Sequence, residues 1–167
     1  MSTLERAIAL AAKAHEGQVD KADAPYVLHS LRMMLRLSTN EERITAVLHD
    51  VVEDCGVSLV NLRAEGFSEI VIEAIDSVTR RPEESYEAFV LRAASNPIGR
   101  RVKLADLEDN SDLSRIANPT ARDYDRIAKY RRAIGTIRAL ESSIDVQPRA
   151  EGGRKTTRAK FSGFSRK

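Results

Sequence analysis

The chain has no tryptophan, a single cysteine among its 167 residues, and only four tyrosines and four phenylalanines. One cysteine excludes an intramolecular disulfide and fits a reducing compartment. No apolar run approaches the roughly 18 residues that a membrane helix needs, and the N-terminus lacks the basic-then-apolar pattern of a secretory signal. A soluble, cytoplasmic protein with no membrane partner is the expectation. An excess of one charge is missing too: 27 basic residues face 25 acidic ones, a net charge of +2, so the chain as a whole has no field that argues for nucleic acid. No stretch shows a convincing alternating strand pattern.

What is present is helical periodicity with strong punctuation. Ser2 with Glu5 forms a capping box ahead of Leu4, Ala7, Ile8, Ala11 and Ala14, so a first helix is predicted to about His15, stopping at Gly17. Residues 18–24 are polar and precede Pro25, which predicts a loop. A short second helix begins near His29, with Leu31, Met34, Leu35 and Leu37 as its apolar residues. Two overlapping capping boxes at residues 38–42 open a third, predicted to run unbroken to Cys55-Gly56. Ser58, Ser68, Ser85 and Asn96-Pro97 are further starts. A last helix from Pro119-Thr120 carries Tyr124, Ile127, Ala128, Ile134, Ile137 and Leu140 as its predicted buried stripe. From Ser142 the periodicity fails and Gly, Ser, Thr, Arg and Lys dominate. The reading is an all-α, compact multi-helix bundle over residues 1–141, followed by a disordered basic tail over residues 142–167. The tail's Lys and Arg, with Phe161 and Phe164, could meet nucleic acid or another acidic partner; a solvated tail with no ligand is the simpler expectation.

The stretch with chemistry in it is Ala46 to Asp54, an apolar pattern carrying a histidine and three carboxylates. In a continuous helix His49 lies over Glu53 and Asp50 over Asp54, while Val47, Leu48, Val51 and Val52 cover much of the remaining surface. A helix so apolar is buried, and a lone buried carboxylate costs several kcal/mol or more. One histidine alone reads as a satisfied core residue, and Glu-Asp alone as a solvated helix end. Together they would need separate partners, and one metal ion is the more economical answer. His29, at a helix start after a polar loop, can be aimed at the same site. In the helix opened by Pro97, Asp106 and Asn110 share a face with Ile98, Val102 and Ala105, making Asp106 the fourth candidate ligand; Glu108 and Asp109 are expected to be solvated. Cys55 is expected to be a small buried hydrophobe without a redox role.

His29, the His49-Asp50 pair and Asp106, in that order and on helices, resemble the ligand set of the HD-domain metal-dependent phosphohydrolases. Residues 14–18, 25–29, 48–54 and 102–110 resemble the hydrolase domain of the RelA/SpoT-type alarmone enzymes, above all their small stand-alone relatives, over about residues 4–140. The resemblance implies a Mn²⁺ site. Two imidazoles and two carboxylates also suit Mn²⁺ or Fe²⁺, or another divalent transition metal, better than Mg²⁺. It further implies removal of the 3′-pyrophosphate of ppGpp or pppGpp, with Glu53 and Asp54 as the catalytic carboxylates. Lys21, Asn110, Arg126 and Tyr130 match nucleotide-contacting positions of the family. Two positions depart from its pattern. Asp20 stands where many members have an arginine packed on guanine, which would place a negative charge against the substrate, and Ser30 replaces a frequent proline. The departures leave the metal chemistry in place and open a second reading, an HD phosphohydrolase for another nucleotide or phosphate ester. A third is a non-catalytic binding protein. No synthetase domain follows in this sequence, so alarmone synthesis is not expected. Oligomeric state has no signal in the sequence.

Overall fold

The computed structural model describes residues 2–145. It is all-α: α1 (Leu4–Ala14), α2 (Val27–Leu35), α3 (Asn40–Leu48), α4 (Val51–Asp54), α5 (Leu59–Ala64), α6 (Glu69–Val78), α7 (Tyr86–Ser95), α8 (Pro97–Asn110), a 3₁₀ turn (Leu113–Arg115) and α9 (Ala121–Asp145). No strand occurs among the described residues; one isolated bridge joins Val19 to Pro25 across the loop before α2. None of the described helices is long and apolar enough to cross a membrane. Helix α9 runs four residues past the expected domain end at 141. The tail beyond it, residues 146–167, lies outside the described residues.

Side-chain oxygens set most of the helix starts. Thr39 and Glu42 form the capping box that opens α3, and Ser58, Ser68, Ser85 and Asn96 cap α5, α6, α7 and α8. At α1 the cap is Thr3, one residue later than expected. Ser2 is drawn aside because its hydroxyl donates to the Glu65 carbonyl and its N–H to Gly66, which ties the N-terminus to the end of α5.

The core forms three adjoining clusters. Ala7 and Ala11 of α1, Ile44, Val47 and Leu48 of α3, Leu62 of α5, and Val71, Ile72 and Ile75 of α6 make the first. Met33, Ala46, Val78, Ala93, Val102 and Ala105 make the second, around α3 and α8, and Val90, Ala94, Leu107, Ala133 and Ile137 seat α9 on α7 and α8. Helix α8 approaches α6 closely at Gly99, where a Cβ would stand 2.0 Å from Ser77 Oγ, a distance that only glycine permits.

Two expected apolar stripes shift. On α9 the inward row is Ile127, Tyr130, Ala133, Ile134 and Ile137, spaced to stay on one face, while Tyr124 and Ala128 are exposed. On α2 the buried residues are His29, Ser30 and Met33, and Leu35 points to solvent.

The expected unbroken helix from residue 40 to Cys55 is interrupted at His49-Asp50. The His49 imidazole accounts for the break: its Nδ1 donates to the Ala46 carbonyl at 2.8 Å, the acceptor that the Asp50 N–H would use in a continuous helix. The chain re-forms one turn as α4, with the Asp54 N–H bonded to Asp50 O.

Candidate functional site

α2, the break between α3 and α4, and α8 deliver His29, His49, Asp50 and Asp106 to one place. One ligand atom each from His29, His49 and Asp50 lies within 4.8 Å of the others. Asp106 Oδ1 is 3.4 Å from His29 Nε2, and the imidazole ring centroids are 5.3 Å apart. His29, His49 and Asp106 are buried, the two histidines at 3% exposure, and Asp50 is partly exposed.

Each histidine uses Nδ1 inside the protein, His49 on the Ala46 carbonyl and His29 on Asp109 Oδ2, both at 2.8 Å. Because these partners only accept, Nδ1 carries a proton, which leaves Nε2 as the atom that takes up a cation, either a second proton or a metal ion. His49 Nε2 lies 2.7 Å from Asp50 Oδ2, and His29 Nε2 faces Asp106. Neither contact has hydrogen-bond direction, so both buried nitrogens lack a hydrogen-bond partner. A neutral imidazole nitrogen and a carboxylate oxygen both present lone pairs, so only a proton or a cation between them relieves the contact. Two orphaned Nε2 atoms beside two carboxylates therefore fit a divalent metal with nitrogen and oxygen ligands.

The titration behaviour follows the same arrangement. Burial opposes charge on every member, yet mutual attraction prevails. Asp106 is held well below the usual carboxylate range by Lys103 and the two imidazoles, and Asp50 is lowered by His49. His29, despite its burial, is raised to about 9 by Asp106 and Asp109.

Above these groups opens a cavity of about 570 Å³. Asp50, Glu53, Asp54 and Asp106 line it together with Asp20, Asp109 and Asp112, and so do the four expected nucleotide contacts, Lys21, Asn110, Arg126 and Tyr130. A side chamber of about 90 Å³ is bounded by His49, Asp50, Glu53, Lys103 and Asp106. Glu53 and Asp54 are both exposed. Glu53 is steadied by the Arg80 N–H, which donates to its Oε2 at 3.0 Å. Burial, with the charges of Asp50 and Glu53, raises the Asp54 carboxyl. Lys21 and Arg126 are close enough that Arg126 adds to the effect of burial in lowering the Lys21 ammonium. Arg126 Nε is buried without a partner. Asn110 is less free than a substrate contact need be, since its amide donates to Asp106 Oδ1 at 2.6 Å.

Several participants were not singled out from sequence. The Tyr26 hydroxyl donates to Asp50 Oδ2. Lys103, 4.6 Å from the Phe89 ring centroid, donates to Asp106 Oδ2 at 2.8 Å. Tyr26 and Lys103 each precede a ligand by three residues on the same helical face, a spacing that could have flagged them. Asp109, expected to be solvated, is 1% exposed, because α8 turns it inward against α2, where His29 and Arg32 bind it.

Asp20 is the other correction. Its Oδ1 accepts the N–H groups of Ala22 at 2.8 Å and Ala24 at 3.2 Å, closing its own loop. Its Oδ2 pairs with Arg115 and lies 3.6 Å from Arg32. The carboxylate is thus neutralised within the wall and does not stand as a free charge against a ligand. The guanidinium at this end of the cavity comes from Arg115, on the 3₁₀ turn. Cys55, expected to be buried, is half-buried and places Sγ 3.3 Å from His15 Nδ1; burial raises its thiol.

No family model matches the chain. It is 30% identical over 119 residues to a guanosine-3′,5′-bis(diphosphate) 3′-pyrophosphohydrolase of Aquifex aeolicus, a match covering 64% of this chain and 17% of the relative. It is 31% identical over 116 residues to a GTP pyrophosphokinase of Streptomyces coelicolor, covering 62% of this chain and 14% of the relative. The chain thus spans less than a fifth of the length of these curated relatives. Its fold is similar to the solved structure of a metazoan ortholog of SpoT that hydrolyzes ppGpp, with a TM-score of 0.69 and 22% identity over 87% of this chain and 93% of that one. The helical architecture of the described residues is thus that of the solved SpoT ortholog, and their sequence is similar to one stretch of these longer relatives.

Proposed function

We propose that this protein is a Mn²⁺-dependent pyrophosphohydrolase that removes the 3′-pyrophosphate of guanosine alarmones. The observation that carries this reading is the pair of buried, unpartnered Nε2 atoms of His29 and His49, set beside Asp50 and Asp106 at the floor of a cavity with cations on its walls. The names of the sequence relatives and of the structural neighbour supply the substrate class.

In this reading His29, His49, Asp50 and Asp106 hold the ion. When bound, a divalent metal supplies polarisation of a phosphoryl oxygen and acidification of a water. Lys21 and Arg126, whose charges already repel one another, take phosphate oxygens between them. Tyr130 and Asn110 add hydrogen bonds at the nucleotide. Asn110 does so while also orienting Asp106. Glu53 and Asp54, on the turn after the ligand pair, accept the proton of the attacking water. Water and ppGpp then become GDP and pyrophosphate. Arg80 holds Glu53 through its N–H, and Arg92 braces that segment by donating to the carbonyls of Asp76, Ser77 and Thr79 and to Glu84.

A second reading, cleavage of another nucleotide or phosphate ester at the same centre, is favoured by one observation. The cavity presents Arg115 paired with Asp20 rather than a free arginine at position 20. A panel of ppGpp, pppGpp and ordinary nucleotides, incubated with the protein and Mn²⁺, separates the two. Consumption of ppGpp with equimolar GDP and pyrophosphate is the expected result. Release of monophosphate, or selective loss of another nucleotide, would favour the second reading.

A further inference from the structure

Asp109 is buried although nothing in the reaction outlined above requires it. Its Oδ2 accepts His29 Nδ1 at 2.8 Å, and Arg32 grips both oxygens, Nε at 2.9 Å from Oδ1 and Nη2 at 2.8 Å from Oδ2. Arg115 Nη1 lies 3.4 Å from Oδ2 and Arg36 Nη2 3.6 Å from Oδ1. A carboxylate so enclosed is costly to bury, and even a well-paired one contributes little net stability compared with apolar packing. Its position is more informative than its energy. His29 and Arg32 are three apart on α2, and Asp106 and Asp109 are three apart on α8, so each helix presents two groups to the other. The His29 ring is held between them, Nδ1 on Asp109 and Nε2 toward Asp106. The other ligand histidine, His49, rests on a neutral backbone carbonyl instead.

From this we infer that Asp109 is a positioning residue for the metal. It fixes His29 as the Nδ1–H tautomer with Nε2 aimed at the ion, and through Arg32 and Arg115 it ties that ligand to the Asp20 loop and the 3₁₀ turn that wall the cavity. The inference rests on the reading of His29 as a metal ligand. A carboxylate behind a ligating imidazole raises its basicity and restricts its rotation, and loss of such a partner typically weakens metal affinity about 10–100-fold. Because Arg115 is shared between Asp109 and Asp20, both walls of the cavity meet at the group that aims His29.

The test is a Co²⁺ titration of chelator-stripped protein, followed by visible absorption, for the parent and for Asp109→Asn. The amide keeps the shape of the side chain and removes its charge. The expected result is Co²⁺ affinity about 10–100-fold weaker in the variant, with helical circular dichroism unchanged. A purely structural role would lower the melting temperature and leave the affinity of the folded fraction at the parental value, which would overturn the inference. The parent protein gives an independent reading should the variant not fold. In its Zn²⁺-loaded form, ¹⁵N spectra should show His29 ligated through Nε2 and protonated at Nδ1; ligation through Nδ1 would overturn the proposal. Absence of Co²⁺ uptake by the parent would instead sink the ligand reading itself, and this inference with it.

Discussion

α3 belongs to two environments. Ile44, Val47 and Leu48 enter a core shared with α1, α5 and α6 that is wholly apolar. One residue further on, His49 and Asp50 enter a buried set of ionisable groups with His29, Lys103, Asp106 and Asp109. In the first region removing any side chain leaves a void, and the loss is felt as stability. In the second the carboxylates stand beside imidazole nitrogens that lack a hydrogen-bond partner, so the arrangement offers little stability and a specific place for a cation. The difference teaches that burial alone does not make a residue structural: Leu48 and His49 are adjacent and almost equally enclosed, yet they should fail in different assays.

That contrast can be broken or sharpened by substitution. The largest effect is expected at the ligands. His49→Ala and Asp106→Ala should each lose metal retention and reduce hydrolysis to background, with the metal-free protein still folded. Full metal occupancy by elemental analysis in either variant would remove that residue from the ligand set.

Glu53→Gln should come next, keeping the metal but lowering kcat about 100-fold or more, since the amide cannot take up a proton. It can still accept the Arg80 N–H. Parental turnover at saturating Mn²⁺ would transfer the role to Asp54 or to neither.

In the apolar region Leu48→Ala should cost about 2–5 kcal/mol in denaturant unfolding. Metal affinity measured well below the unfolding midpoint should not change. A variant as stable as the parent would show that the two regions do not divide stability and function in this way.

Smaller still is the effect at Asp20. Asp20→Arg removes the acceptor of two backbone N–H groups and sets a new cation beside Arg32 and Arg115. Losing those interactions costs about 1–3 kcal/mol, and the Michaelis constant for ppGpp should rise roughly tenfold if that loss falls on the substrate-ready loop. A fall in the constant would mean that the Asp20 charge does oppose the substrate, as the sequence alone had suggested. Cys55→Ala should change neither activity nor its response to mild peroxide.

The parts of this site that were legible in the sequence are those whose logic is local. His49-Asp50 stands out because the two residues adjoin in an apolar segment, and Ser58, Ser68, Ser85 and Asn96 announce helices because a cap acts within three residues. What was not legible depends on distant chain. His29 and Arg32, which bind Asp109, are 80 and 77 residues from it, and Arg115 is 95 residues from Asp20. On α8 the four-residue spacing links Asp106 to Asn110, while Asp109, three residues on from Asp106, meets His29 of α2. The break after Leu48 was hidden for another reason: it arises from a side chain competing with the backbone for one carbonyl, which no capping signal records.

The central claim, that the polar region is a metal centre for alarmone hydrolysis, is tested most directly by ³¹P NMR of ppGpp incubated with chelator-stripped protein before and after Mn²⁺ is restored. The account predicts no reaction at first, then stoichiometric release of free pyrophosphate with GDP as the remaining nucleotide. Intact ppGpp in the Mn²⁺-restored sample, or hydrolysis that proceeds equally without the metal, would contradict it.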